Sequence, residues 1–331
     1  SVCLKNKKMM KRFLYMSFVC LILMACNKDE NEEGKVSYAD VDWYAIEDSD
    51  DPLDHLIYTC YDEYGVAIFY EDTIGRVQTG TSFDGTPRMH YEVLDVNYMI
   101  TTKNDQNSYT ESRDREALMK TVEFLKTDVL PRLPESVQPR CYFLTDSCIT
   151  YRKTYITRVA GKIIEGCDDF AWRALATTMI GRVGRMENEL PSVWAKYAGE
   201  ILAADVTLKL VNHYAFELQE FYDLSENVHV PEVLSGSSKK TIYGQRMNRS
   251  NRDYPFQHWN LYGFLNFSEV YNPDNQDADR KGYTAPLQTD DLRAFVTAYY
   301  QYTEEEFKAL YTDYEVILAK YDVIKKIVEK L

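Results

Sequence analysis

Hydrophobic positions along the chain change period several times, and the changes mark its parts. Phe13 to Ala25 (FLYMSFVCLILMA) is apolar almost without a break, yet it is shorter than the roughly 20 residues a helix needs to span a bilayer. Asn27 to Glu33 (NKDENEE) then carries no apolar side chain and predicts a solvated tether. Pro52 to Tyr61 (PLDHLIYTCY) places apolar residues at helical spacing and stops near Gly65, and Val66 to Tyr70 (VAIFY) is an apolar run of strand length. Arg113 to Leu130 reads as an amphipathic helix closed by Pro131, and Arg140 to Thr150 (RCYFLTDSCIT) as a strand and turn. Ser192 to Tyr222 is the longest helical stretch, one or two helices, with Val193, Tyr197, Ile201 and Leu202 on one stripe. Asp223 to Asn260 is polar and turn-rich. Asp290 to Tyr300, Glu304 to Leu310 and Asp313 to Leu331 finish the chain as helices. Strands early and helices late predict an α+β fold with a helix-rich carboxyl half, and no repeat or long Pro/Gly linker divides residues 37–331.

The apolar run gains its meaning from its flanks. Lys5, Lys7, Lys8, Lys11 and Arg12 precede it without an acidic residue, and Leu23-Met24-Ala25-Cys26 ends it. This is the order of a secretory signal, and its end resembles a bacterial lipobox. Residues 1–25 are therefore expected to be a lipoprotein signal peptide, Cys26 the lipidated first residue of the mature chain, and 26–36 an acidic tether. The tether resembles the export signal that sends Bacteroidota lipoproteins to the cell surface, which implies an outer-membrane, lipid-anchored protein facing outward.

Composition narrows the partners. The 331 residues carry 38 Lys and Arg against 52 Asp and Glu, a net charge of -14, which argues against nucleic acid as a partner. Cys60, Cys141, Cys148 and Cys167 remain beyond the signal. In an exported chain they could form two disulfides, with Cys141 and Cys148 close enough in sequence to staple a hairpin. No CxxC pair, G-x-S-x-G, phosphate-binding loop or HExxH occurs.

Several segments together resemble the zinc metallopeptidase lipoproteins encoded beside SusC/SusD-type importers, a Bacteroidota family with a zincin-like domain. They are the lipobox, Leu53 to Tyr58 (LDHLIY), Tyr64 to Tyr70 (YGVAIFY), Tyr262 to Leu265 (YGFL), Asp290 to Phe295 (DDLRAF) and Ile317 to Tyr321 (ILAKY). The resemblance implies a zincin-like α+β domain over 37–331. Its metal-binding helix would carry HExxH, two histidines one turn apart with a glutamate that activates the zinc-bound water. The corresponding stretch is Asn212 to Leu218 (NHYAFEL). The ligand positions would be Asn212 and Phe216, His213 would stand where the general base belongs, and the third ligand would map near Asp290. Phenylalanine cannot bind zinc, so the expectation is a degenerate member with neither metal nor catalysis. A sharper alternative pairs His213 with Glu217, together with Asp290 or His258, around an atypical zinc.

A second candidate surface is Tyr243 to Phe267, which interleaves aromatic residues with arginines. Arg252, Tyr254, Trp259 and Tyr262 are its candidate contacts for a glycan or peptide, and the same rings suit a loop packed over a vacant cleft. The expected function is a non-catalytic accessory of a SusC/SusD-type importer that binds nutrient. The alternatives are a surface zinc metallohydrolase acting on peptides or glycans, and a structural or adhesive surface lipoprotein.

Overall fold

The structure, a computed structural model, describes residues 40–97, 107–150, 167–228, 241–244, 256–271 and 281–331. The expected signal peptide, Cys26 and tether lie outside the described residues, as do Arg252 and Tyr254 and the side chains of Cys167 and His258.

In chain order the elements are α1 (Pro52–Tyr64), β1 (Ala67–Phe69), β2 (Thr73–Thr81), β3 (Pro87–Val93), β4 (Ser108–Glu111), α2 (Arg115–Phe124), β5 (Cys141–Thr150), β6 (Cys167–Asp168), β7 (Ala171–Arg173) and β8 (Thr177–Ile180). There follow α3 (Pro191–His213), α4 (Ala215–Glu226), β9 (Ser268–Tyr271), β10 (Lys281–Thr284), α5 (Gln288–Gln301), α6 (Glu304–Leu310) and α7 (Glu315–Val328). The fold is thus mixed helix and sheet, with its longest helices in the carboxyl half. The strand pair β9–β10 falls late in the chain, after the first helices.

The chain divides into two compact units. The described part of the smaller one is residues 40–42 and 77–90, the outer end of the β2–β3 hairpin, whose turn is closed by Ser82 N donating to Thr86 O at 2.8 Å. The larger unit is Trp43–Arg76 with Tyr91–Leu331.

Local chemistry explains the boundaries in the larger unit. Asp51 caps α1 by accepting from Leu53 N and Asp54 N, Pro52 occupies the first turn, where its missing N–H costs nothing, and the helix stops at Gly65. α2 continues through a π turn at Leu125–Val129 into a 3-10 turn at Leu130–Arg132, so the winding changes just before and at Pro131, as the sequence predicts. Thr303 and Glu306 form a reciprocal capping box at the start of α6.

β5 is the hub of a six-stranded sheet. Its first half runs parallel to β1 and β8, its second half pairs antiparallel with β4 and β6, and β7 joins β8. Tyr142 and Leu144 point to the main core, shared with the helices, while Cys141 and Phe143 point to a second cluster with Ala67, Leu94, Val96 and Met179. A strand buried on both faces reads as a continuous apolar run, which is why CYFL shows no alternation.

One expectation is corrected here. Arg140–Thr150 is not a strand and turn, because Cys141–Thr150 is one continuous strand. Seven residues of extended chain separate Cys141 from Cys148 by roughly 23 Å, well beyond the ~7 Å limit for a disulfide. They cannot staple a hairpin, and Cys60 and Cys141 are free buried thiols.

Candidate functional site

The most concentrated chemistry among the described residues lies where the carboxyl helices meet. Lys320, on the buried face of α7, has no solvent exposure. Its Nζ donates to Asp291 Oδ2 on α5 at 2.5 Å, to Ser225 Oγ on α4 at 2.9 Å and to the Gly263 carbonyl at 3.0 Å. Tyr243 OH donates to the same Asp291 oxygen at 2.9 Å. Four rings enclose the ammonium, with centroids at 4.3 Å for Phe221, 4.9 Å for Phe295, 5.1 Å for Phe264 and 5.8 Å for Tyr243.

Gly263 makes this geometry possible. Its φ is +81°, and a Cβ there would lie 2.5 Å from Val316 Cγ1 and 3.0 Å from Ser225 Oγ, so a side chain would displace α7 from the carbonyl that accepts from Lys320. Three segments far apart in sequence, Tyr262–Leu265, Asp290–Phe295 and Ile317–Tyr321, therefore meet at one point, through Gly263, Asp291 and Lys320.

Burial sets the electrostatics. It pushes the Asp291 carboxyl up to about 6 against the opposing pull of Lys320, and it lowers Lys320 from the ordinary lysine value against the pull of Asp291. Both shifts disfavour the charged forms, so the desolvation cost exceeds the Coulombic gain. Asp291 Oδ1 is buried with no hydrogen-bond partner among the described residues. Such a centre fixes helix register.

A second buried carboxylate ties the sheet to α3. Asp205 accepts from Thr178 Oγ1 at 2.5 Å, from Tyr142 OH at 3.2 Å and from Arg173 Nη1 at 3.2 Å. Burial pushes its carboxyl up to about 6, opposed chiefly by the Arg173 charge. The Arg173 side chain keeps 15% of its exposure, which leaves this cation partly hydrated.

The stretch expected to be a degenerate metal-binding helix is a corner. α3 ends at His213, Tyr214 N donates to Leu210 O at 2.9 Å, and α4 starts at Ala215. Asn212 and His213 are exposed, Phe216 is 90% exposed and Glu217 is half-buried on the first turn of α4. The one-face spacing assumed for His213 and Glu217 requires a single helix, and the break removes it. Asp290 lies half-buried on the first turn of α5, next to Asp291. Among the described residues no group of three or more His, Cys, Asp and Glu gathers closely enough to hold a metal ion.

The second candidate surface divides as well. Tyr262 is 9% exposed and Tyr243 6% exposed, both in a small core with Ile242, Phe264 and Ala285, and half-buried Trp259 packs against them. Tyr262 is therefore a packing residue and not an open contact. Sequence reasoning missed Lys320 and Asp291, although a signal exists. Ile317, Tyr321, Ile324 and Val328 form an apolar stripe on α7, and Lys320 falls within it rather than on the polar face. A charge inside an apolar stripe demands a buried partner. Comparison with family models, with curated proteins and with solved structures finds no match for this chain.

Proposed function

We propose that this chain is a lipid-anchored, cell-surface accessory of a SusC/SusD-type outer-membrane importer, a zincin-like domain that binds and presents nutrient without hydrolysing it. The observation that supports this reading is the contrast within one resemblance. The segments that would pack the domain converge on Lys320, while the segment that would bind metal has Asn212 and Phe216 at its ligand positions and is split by a helix break after His213. Packing and chemistry depend on different residues, so a domain can keep one and lose the other. Anchoring through Cys26 would then supply function by proximity, because an anchored binder raises the local concentration of its ligand beside an importer.

A mild-detergent pull-down from the native membrane tests the assembly, and mass spectrometry of the same material tests the anchor. The reading expects diacylated Cys26 and recovery of an importer pair. An intact Phe13–Ala25 segment in a soluble mature chain contradicts the anchor, and recovery of the chain alone in several detergents contradicts the complex.

A further inference from the structure

Lys320 and Asp291 meet under conditions that surface ion pairs do not share. Their side chains keep 0% and 1% of their exposure. Nζ lies 2.5 Å from Oδ2, inside the ~2.7–2.9 Å of an ordinary charge-assisted contact. Phe221, Phe264 and Phe295 close over the nitrogen and keep water from it. Burial works against the charge on both partners, raising the carboxyl and lowering the amine, which draws the pair towards a neutral amine beside a neutral acid. A desolvated lysine amine is a nucleophile.

The hydrogen bonds make the two carboxyl oxygens unequal. Oδ2 accepts from Lys320 Nζ and from Tyr243 OH, the latter at 2.9 Å. Oδ1 is buried and accepts from no described residue. As half of a carboxylate such an oxygen is costly to bury, whereas as the carbonyl of a neutral amide it costs much less. Tyr243 OH also lies 3.5 Å from Nζ, so one hydroxyl reaches both the nitrogen and Oδ2 and can pass a proton between them. Ser225 Oγ and the Gly263 carbonyl, at 2.9 and 3.0 Å, hold Nζ in place from the other segments.

We propose that Lys320 and Asp291 join in an intramolecular isopeptide bond that ties α7 to α5. One Nζ proton passes to Oδ2, the freed lone pair attacks Cγ, and the Nζ–Cγ bond forms. A second Nζ proton reaches Oδ2 through Tyr243 OH, the Cγ–Oδ2 bond breaks, and Oδ2 leaves as water. The third proton stays as the amide N–H, available to the Gly263 carbonyl, and Oδ1 becomes the amide oxygen. No oxidant, reductant or other reactant is consumed. The ion pair is the state in which the chain folds, and the amide forms from it because the fold holds the two reacting groups in contact. The bond links residues 29 positions apart and closes off the local opening of the carboxyl helices that a protease needs. It does not depend on the anchor or the importer.

The test is mass spectrometry of the purified full chain, first intact under denaturing conditions and then after digestion with trypsin. Trypsin cuts after Lys and Arg, so an unjoined chain releases residues 282–293 and 309–320 as separate peptides. The proposal expects a chain lighter by one water than its covalent sequence. It also expects a branched peptide joining 282–293 to 309–325, since an acylated Lys320 is no longer a cleavage site. Fragmentation of that peptide should place the link between Asp291 and Lys320. Lys320→Arg keeps the cation but supplies no amine nucleophile, and should lose both the mass deficit and the branched peptide. Full recovery of the two separate peptides from the wild type overturns the proposal and leaves an ion pair only. A mass deficit without the branched peptide, as a succinimide elsewhere in the chain produces, overturns it as well, and so does a deficit that persists in Lys320→Arg.

Discussion

Ser225 and Phe216 belong to the same helix, α4, yet Ser225 is sealed against Lys320 while Phe216 is 90% exposed. Around Lys320, each group is needed by another. The ammonium takes a carboxylate, a hydroxyl and a carbonyl from three different segments, and the aromatic rings exclude water. At the α3–α4 corner, Asn212, His213 and Phe216 face outward and nothing in the core depends on them. The difference teaches that one helix can be bound into the core at one end and owe nothing to it at the other. A residue inside the buried centre is constrained by its partners, and a residue on the corner is constrained only by a ligand, if there is one.

The comparison breaks most sharply at the centre. Lys320→Met leaves Asp291 buried without its cation, and the expected loss is about 3–5 kcal/mol in chemical denaturation. Pairing it with Asp291→Leu removes the orphaned charge and should recover much of that loss. If the two single losses simply add, the pair is not the organising contact described.

Gly263→Ala comes next. The new methyl meets Val316 at 2.5 Å with the backbone held at φ +81°, so a loss of roughly 2–3 kcal/mol is expected, through overpacking and left-handed strain together. The melting temperature of the variant checks this, and a change near zero would show that α7 can move away at no cost.

A smaller and pH-dependent effect is expected at Asp205. Its folded-state pKa, about 6, lies above the ordinary carboxyl value of 3.8. The folded chain therefore holds this proton more tightly than the unfolded chain. The associated stability is complete below about pH 4 and lost as pH rises through about 6. Stability measured from pH 4.5 to 7.5 should fall more steeply in the wild type than in Asp205→Asn. Parallel profiles would contradict burial as the dominant influence on this carboxyl.

Much of the fold was legible in the sequence because its signals are local. The proline at the start of α1, the glycine at its end, the apolar run of β5 and the helical stripes of α3, α5 and α7 all follow from spacing within a single segment. The corner between α3 and α4 was legible only as an option, because no proline or glycine marks it. The turn expected in Arg140–Thr150 is absent: Thr145, Asp146 and Ser147 are turn formers by type, yet pairing of Thr145 and Ser147 with β4 keeps the strand running, with a register shift at Asp146. The Lys320 centre was hidden for a different reason. Its five contributing segments are separated by up to 95 residues, as Lys320 is from Ser225, and only the lysine inside an apolar stripe hints at it.

The smallest effect belongs to the corner. Phe216→Ser and His213→Ala should change stability by no more than about 0.5 kcal/mol, as exposed substitutions do. His213 also carries the most direct test of the central proposal, that the Asn212–Leu218 stretch holds no metal site. Zinc per chain is measured in the full chain after dialysis against the metal, in wild type and in His213→Ala, with both proteins folded to the same melting temperature. The account predicts the same zinc content in both and no His213-dependent site. One zinc per wild-type chain that disappears in His213→Ala, accompanied by chelator-sensitive peptide cleavage, would contradict it.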